Sequence, residues 1–272
     1  MTKKAIFLDL DNTLYCHEIY KIPESALLAI EKAKENGHYV FLCTGRNPSM
    51  GRIVDSTLFD AVIFSSGSYI KCNDQLLFES YFEQSEIGAV FDFCNSGKIE
   101  VNLETPNAVY LSENSYQIFS TNQHRDISPE ADVVKIENLK KLSEYQGQLI
   151  SKIPIFTKEE KYIHELATEL SNCINPIGKI RYRRELYTVE LTQKGLNKAT
   201  GIQVVLDHFR VKRQDTIAIG DGVNDFEMLD YCNIGICVED GDEELKKKAD
   251  DICPSPLEDG IYYIFKKLGL IS

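Results

Sequence analysis

The chain lacks any extended block of basic residues, any apolar stretch of membrane-spanning length and any Cys-x-x-Cys pair, and each absence removes a class of function. With 30 Lys and Arg against 42 Asp and Glu, a net charge of −12, there is no electrostatic footprint for a nucleic acid. The short run Lys246-Lys247-Lys248 reads as a helix face near its C-terminus, where the dipole favours cations. No segment approaches the roughly 20 apolar residues that a membrane helix needs. Met1-Thr2-Lys3-Lys4 leads at once into a brief strand-like run that stops at Asp9, so no signal peptide is expected and the expected location is cytoplasmic. Cysteines at 16, 43, 72, 94, 173, 232, 237 and 253 fit reduced thiols better than a disulfide framework, and Cys43 and Cys237 sit inside apolar runs as small core residues do. Cys232 and Cys237 have no matching His or Cys pair and read as packing rather than zinc ligands.

What is present is acidic and placed at strand ends. Asp9-Leu10-Asp11-Asn12-Thr13 follows Ala5-Ile6-Phe7-Leu8, and Gly220-Asp221-Gly222-Val223-Asn224-Asp225 follows Thr216-Ile217-Ala218-Ile219. Short apolar runs of this kind read as buried parallel strands, and open α/β sheets bind ligands beyond the carboxyl ends of such strands. Carboxylates crowded there repel one another unless a divalent ion neutralises them, and an all-oxygen ligand set points to Mg2+ rather than zinc. Asp9 and Asp11 share a direction if the strand continues through them, or fan around a common point if the chain turns at Leu10. Gly220 and Gly222 permit a tight strand-to-helix turn, with Asp225 in the first turn of a helix over 223–231. Taken singly, each cluster also has a plain reading as a loop turn or a helix cap.

Two further stretches join these. Val40-Phe41-Leu42-Cys43 ends in Thr44-Gly45-Arg46, where a strand meets a helix start and backbone amides suit an anion. Lys198 stands early in an apolar-periodic segment that runs to about Phe209. A cation at that end opposes the helix dipole, which makes sense if the lysine answers the carboxylates and a bound phosphate, although a lone lysine is most often solvated surface. His17 reads as a surface or flap residue rather than a general base.

Along the chain, helix 25–34, strand 38–43, helix 48–58 and strand 61–65 alternate, which predicts a parallel sheet. A hairpin follows around Cys72-Asn73-Asp74-Gln75. From about 83 to 186 the character changes, with helices near 84–94 and 159–171 and strands near 99–104, 107–111, 149–156 and 178–184. After 195 the alternation resumes, with strands 215–219 and 233–238 and helices 223–231, 242–249 and 259–268. The 272 residues therefore divide into 1–82 with 187–272, and an α+β insertion over 83–186.

In order and spacing, the Asp9–Thr13 element, Thr44-Gly45-Arg46, Lys198 and the Gly220–Asp225 element resemble the four motifs of the haloacid dehalogenase superfamily, in its Cof-type phosphatase branch. The resemblance implies an α/β, Rossmann-like core with an inserted type IIB cap that selects the leaving group. It implies a magnesium-dependent hydrolase of small phosphomonoesters, a sugar phosphate or a phosphorylated cofactor. Asp9 would be the nucleophile that becomes an aspartyl phosphate, and Asp11 the acid and base. Thr44, Gly45, Lys198 and Asn224 would hold the phosphoryl group. Mg2+ would be held by the Asp9 side chain, the Asp11 carbonyl and Asp221, with Asp225 nearby. The partner would be a small phosphorylated metabolite, with no nucleic acid or membrane, and the protein a monomer or homodimer. Polar candidates in the insertion are Asn122, His124, Arg125, Lys179, Arg181, Arg183 and Arg184, although alternating arginines on a strand usually form one solvated face. Two positions depart from the pattern: Asn12 replaces a commoner glycine, and Ser65-Ser66-Gly67 replaces Asn-Gly-Ala. Phosphoryl transfer to another hydroxyl, as in a phosphomutase, suits the same residues. A phosphate-sensing module is a third reading, but receiver domains carry neither the DxD with a late GDGxND nor such an insertion.

Overall fold

The structure, a computed structural model, describes residues 2–50, 54–95, 98–120, 138–182 and 186–272. The chain begins with β1 (Ala5–Leu8), α1 (Glu24–Glu35), β2 (Tyr39–Cys43), β3 (Ala61–Phe64), β4 (Tyr69–Cys72) and β5 (Gln75–Glu79). Next come α2 (Gln84–Cys94), β6 (Ile99–Val101), β7 (Leu103–Glu104), β8 (Val109–Leu111), α3 (Glu113–Ser120), β9 (Leu139–Lys141), β10 (Ile153–Thr157), α4 (Lys161–Glu169), β11 (Ile174–Tyr182) and β12 (Leu186–Gln193). The last stretch holds α5 (Lys198–Phe209), β13 (Thr216–Gly220), α6 (Phe226–Tyr231), β14 (Ile234–Val238), α7 (Glu243–Lys248), β15 (Asp251–Cys253) and α8 (Gly260–Lys267). Among the described residues, no helix is long and apolar enough to cross a membrane.

Two compact units result. The first comprises Met1–Gly45, Asp55–Phe78 and Lys198–Ser272. Its sheet runs β15-β14-β13-β1-β2-β3-β4-β5, parallel from β15 to β3 and antiparallel between β3 and β4. Every residue of β1 is buried, as a strand covered on both faces requires. Phe7 and Phe41 stack across β1 and β2 with ring centroids 4.8 Å apart, in a cluster with Ile202, Val205, Leu206 and Met228. Burying each such side chain contributes about 1.5–3 kcal/mol. α1 buries Ala26, Ala29, Ile30 and Ala33 at helical spacing, and the chain then turns through Gly37 at φ 85°. From β1 the chain winds one way to β2 and β3, while from β13 it winds the other way to β14 and β15. The order thus reverses between β1 and β13, the kind of switch point beyond whose strand ends open α/β sheets bind ligands.

The second unit comprises Arg46–Val54 and Glu79–Asn197. It contains the sheet β11-β12-β10-β6 and the smaller sheet β7-β8-β9. α2 and α4 bury Val90 and Leu166 in one cluster with Ile99, Tyr110, Ile153 and Ile155. A charged group is buried here too: Lys152 Nζ lies 2.6 Å from Glu190 Oε1 and 3.3 Å from Glu104 Oε2, and the buried Asn47 amide donates to Glu104 at 3.2 Å.

Several expectations are corrected. No helix fills 54–58, because Asp55 Oδ1 accepts from the amide and the hydroxyl of Thr57 and locks a 3-10 turn over Ser56–Leu58; 51–53 lie outside the described residues. The expected strand 99–104 is two strands, since Val101 pairs with Ile155 while Leu103 pairs with Tyr110. β12 pairs with β10 and β11, so the second unit runs past 186 to Asn197. Asn122, His124, Arg125, Arg183 and Arg184, and the side chains of Lys179 and Arg181, lie outside the described residues.

Candidate active site

Asp9 leaves β1 with its amide donating to Ile219 O of β13 at 2.9 Å, so the ladder carries it to the strand end with only 5% of its surface exposed. The chain then turns rather than continuing as a strand. The Leu14 and Tyr15 amides both donate to Leu10 O, and Asn12 adopts φ 57°. That left-handed conformation suits the glycine commoner at this position, and asparagine tolerates it better than most residues. Asp11 is carried on this turn, and its Oδ1 lies 2.9 Å from His17 Nε2.

Across the switch point, Asp221 follows β13. Thr13 Oγ1 donates to its Oδ1 at 3.1 Å, and Asn12 Nδ2 approaches its Oδ2 at 3.5 Å. Asp225 ends the 3-10 turn Val223–Asp225 and precedes α6, instead of lying within one helix over 223–231. Its Oδ2 accepts the amides of Asp221 and Gly222, each at 3.0 Å. A Cβ on Gly220 would fall 2.5 Å from the Asp225 carboxylate, so a glycine is required for this carboxylate to fold under the strand end.

Lys198, the first residue of α5, is wholly buried, and its Nζ lies 2.5 Å from both Asp9 Oδ1 and Asp225 Oδ1. A cation at a helix start needs such partners. Burial alone would lower the lysine's pKa, but Asp225 and Asp9 outweigh it and hold the ammonium charged. Burial first, and Asp225 next, raise Asp9 well above the usual carboxylate range and push Asp221 up to about 7.

Thr44, buried at the end of β2, donates its amide to Ile63 O at 2.8 Å and accepts the Ser66 amide at 3.1 Å. Ser65 and Ser66 adopt φ 49° and 53° to make that approach, so the departing Ser66 supports the Thr44 backbone. Gly45 follows on the same strand end, beside β1, and Asn224 is half-buried in the turn between Asp221 and Asp225. Asp9, Asp221, Asp225 and Lys198 thus meet directly, with Thr44 and Gly45 on the neighbouring strand end. Two residues given no role from the sequence belong here as well. Thr13 lies inside the quoted motif but has no chemistry of its own, and His17 carried no spacing signal beyond nearness to Asp11.

One oxygen each of Asp9, Asp221 and Asp225 lies within 4.8 Å of the others. Three carboxylates against the single Lys198 ammonium leave two negative charges in excess, and all the donors are oxygens. That set fits a hard divalent cation, which is what would let all three ionise together. The carboxylate of Asp11 faces His17, outside this set.

The sequence matches the haloacid dehalogenase-like hydrolase family model over residues 6–265. A Bacillus subtilis (strain 168) protein called putative phosphatase YkrA is 27% identical over 100% of both chains. YitU of the same organism, a 5-amino-6-(5-phospho-D-ribitylamino)uracil phosphatase, is 26% identical over 96% of each. Among solved structures, the subclass IIB sugar phosphatase BT4131 is 26% identical, covers 99% of this chain and 100% of its own, and has a TM-score of 0.82.

Proposed function

This chain belongs to the haloacid dehalogenase-like hydrolases, and from that premise we propose that it is a cytoplasmic, magnesium-dependent phosphatase of small phosphomonoesters carried on a sugar or polyol. The observation that carries the reading is the buried Lys198 shared by Asp9 and Asp225 beside Asp221, a cluster short of two positive charges at the switch point of the sheet. The substrate class is supported by the relatives, one called a sugar phosphatase and another acting on a phosphorylated ribityl chain.

Asp9 attacks phosphorus through a carboxylate oxygen, and the bond to the leaving oxygen breaks in line. Lys198 orients Asp9 and faces the negative charge of the phosphoryl group. The Thr44 side chain, the Gly45 amide and Asn224 supply hydrogen-bond donors to its equatorial oxygens. Asp11 gives a proton to the departing alkoxide, then takes one from the water that hydrolyses the aspartyl phosphate. Thr13 and Asn12 fix the Asp221 carboxylate, and Asp225 braces the Asp221 loop through two amides. Asp9, Asp221 and the Asp11 carbonyl would hold the magnesium ion, with Asp225 adding charge behind them, and the bound ion would supply neutralisation of the phosphoryl oxygens.

The test is a screen of phosphorylated metabolites, with released phosphate measured in the presence of Mg2+. Sugar and polyol phosphates should give the highest kcat/KM. Release from none of them, or undiminished release by Asp9→Asn, would overturn the proposal.

A further inference from the structure

We infer that His17 is a positioning residue that holds the Asp11 carboxyl for proton transfer to the leaving oxygen; the inference rests on the reading of Asp11 as acid and base. His17 Nε2 and Asp11 Oδ1 lie 2.9 Å apart and share one hydrogen, given by the imidazole to a carboxylate or by the carboxyl to a bare nitrogen. The pair bridges the turn at Leu10 to the next piece of chain, where the Cys16 amide donates to Lys21 O at 3.0 Å. The Tyr15 ring meets His17 edge-on with centroids 5.2 Å apart, and the Tyr15 amide is tied to Leu10 O at 2.7 Å. His17 is therefore braced by the same turn that carries Asp11.

Stability is not a sufficient reason for this contact. The side chains are 45% and 33% exposed, and pairs this open contribute at most about 1 kcal/mol. Orientation is another matter. His17 Nε2 holds one oxygen of the Asp11 carboxyl, the group read as proton donor to the leaving oxygen. A misdirected general acid loses rate steeply, because proton transfer needs the donor within hydrogen-bond reach of the leaving oxygen. In the first half-reaction a bond forms between Asp9 and phosphorus, the ester P–O bond breaks, and the alkoxide takes the Asp11 proton. A p-nitrophenolate leaves without that proton, because the nitro group carries its charge. An alkoxide does not.

This difference supplies the test. His17→Ala and His17→Gln are assayed with p-nitrophenyl phosphate and with the alkyl phosphate of highest turnover in the metabolite screen, with Asp11→Asn in parallel. Gln presents an amide N–H near the position of Nε2. His17→Ala should lower kcat on the alkyl ester by about tenfold or more and on the aryl ester by less than about threefold. His17→Gln should recover most of the alkyl activity, and the melting midpoints of both variants should stay near that of the wild type. Equal losses on both esters, or no loss on either, overturn the role of His17 if Asp11→Asn still discriminates between them. Should Asp11→Asn itself fail to discriminate, the acid–base reading of Asp11 falls, and this inference falls with it.

Discussion

Each unit of the molecule buries a lysine between two carboxylates, yet the two groups are built for different ends. In the first unit Lys198 contacts Asp9 and Asp225 at the carboxyl ends of adjacent parallel strands, with Asp221 as a third acid beside them. In the second, Lys152 contacts Glu104 and Glu190, next to antiparallel strands whose amides and carbonyls are engaged in ladders. Glu190 is 29% exposed at its side chain, so water shares its charge, and the Asn47 amide satisfies Glu104. A buried lysine with two acids thus occurs in two different settings within one chain. A third acid beside the lysine, at the carboxyl ends of parallel strands, is what distinguishes the first group.

The largest effect should separate the two groups outright. Asp9→Asn removes the proposed nucleophile and should cut turnover by on the order of 10⁴-fold or more. Lys152→Met should leave turnover within about threefold of the wild type. Comparable losses in kcat from both variants would end the distinction.

Metal removal comes next. Chelation should abolish phosphate release, and readdition of Mg2+ should restore it. With free ion at about a hundred times its Kd, binding adds roughly 2.7 kcal/mol of stability through linkage. That increment, read as a shift of the melting midpoint, should vanish in Asp221→Asn and persist in Lys152→Met. A shift retained in Asp221→Asn would mean that the ion binds elsewhere.

For the second unit the readout is stability. Lys152→Met leaves Glu104 buried beside Glu190 without a counter-charge, which costs about 3–5 kcal/mol for broken buried pairs. Adding Glu104→Gln to Lys152→Met should recover part of that loss in chemical denaturation, and the absence of any recovery would show that the two residues are not energetically coupled.

The smallest effect concerns a buried histidine. His38 Nδ1 accepts the Lys4 amide at 3.1 Å, while its Nε2 has no hydrogen-bond partner among the described residues. Burial first, and the nearby lysines after it, lower its pKa from 6.5, so the folded protein keeps it neutral. The unfolded chain takes up a proton as pH falls through 6.5. Stability is therefore complete above that value and declines below it. His38→Asn keeps an acceptor for Lys4 and should flatten the dependence of the melting midpoint on pH between 7 and 5, roughly the range in which histidine titrates; an unchanged slope would assign that dependence to other groups.

Much of the first unit was legible because its signals are local. Four apolar residues before Asp9 and a glycine-flanked turn after β13 announce strand ends, and the alternation of strands with helices announces a parallel sheet. The total burial of Lys198 was not legible, since residues 189 and 27 positions away create it. Nor was the turn at Leu10, where two geometries shared one sequence pattern. The second unit hid more. Its strands are two to three residues long in places, and Asn102 lets the chain leave one sheet for another by donating its amide to Pro154 O and accepting the Ser112 amide on its side chain. No hydropathy period records such a switch. The failed helix at 54–58 has a similar origin, an Asp55 side chain competing with the helical ladder.

The chain passes between the two units at four peptide links, after Gly45, Val54, Phe78 and Asn197. Two of these tethers touch residues proposed to grip the phosphoryl group, since Gly45 closes one segment and Lys198 opens another. Any insertion or deletion at those two junctions would tug on the phosphate cradle within a single bond, whereas the tethers at 54 and 78 have slack before any such residue. Engineered lengthening of the linkage should therefore be tolerated worst immediately before Lys198, and better after Val54, which lies outside any helix or strand.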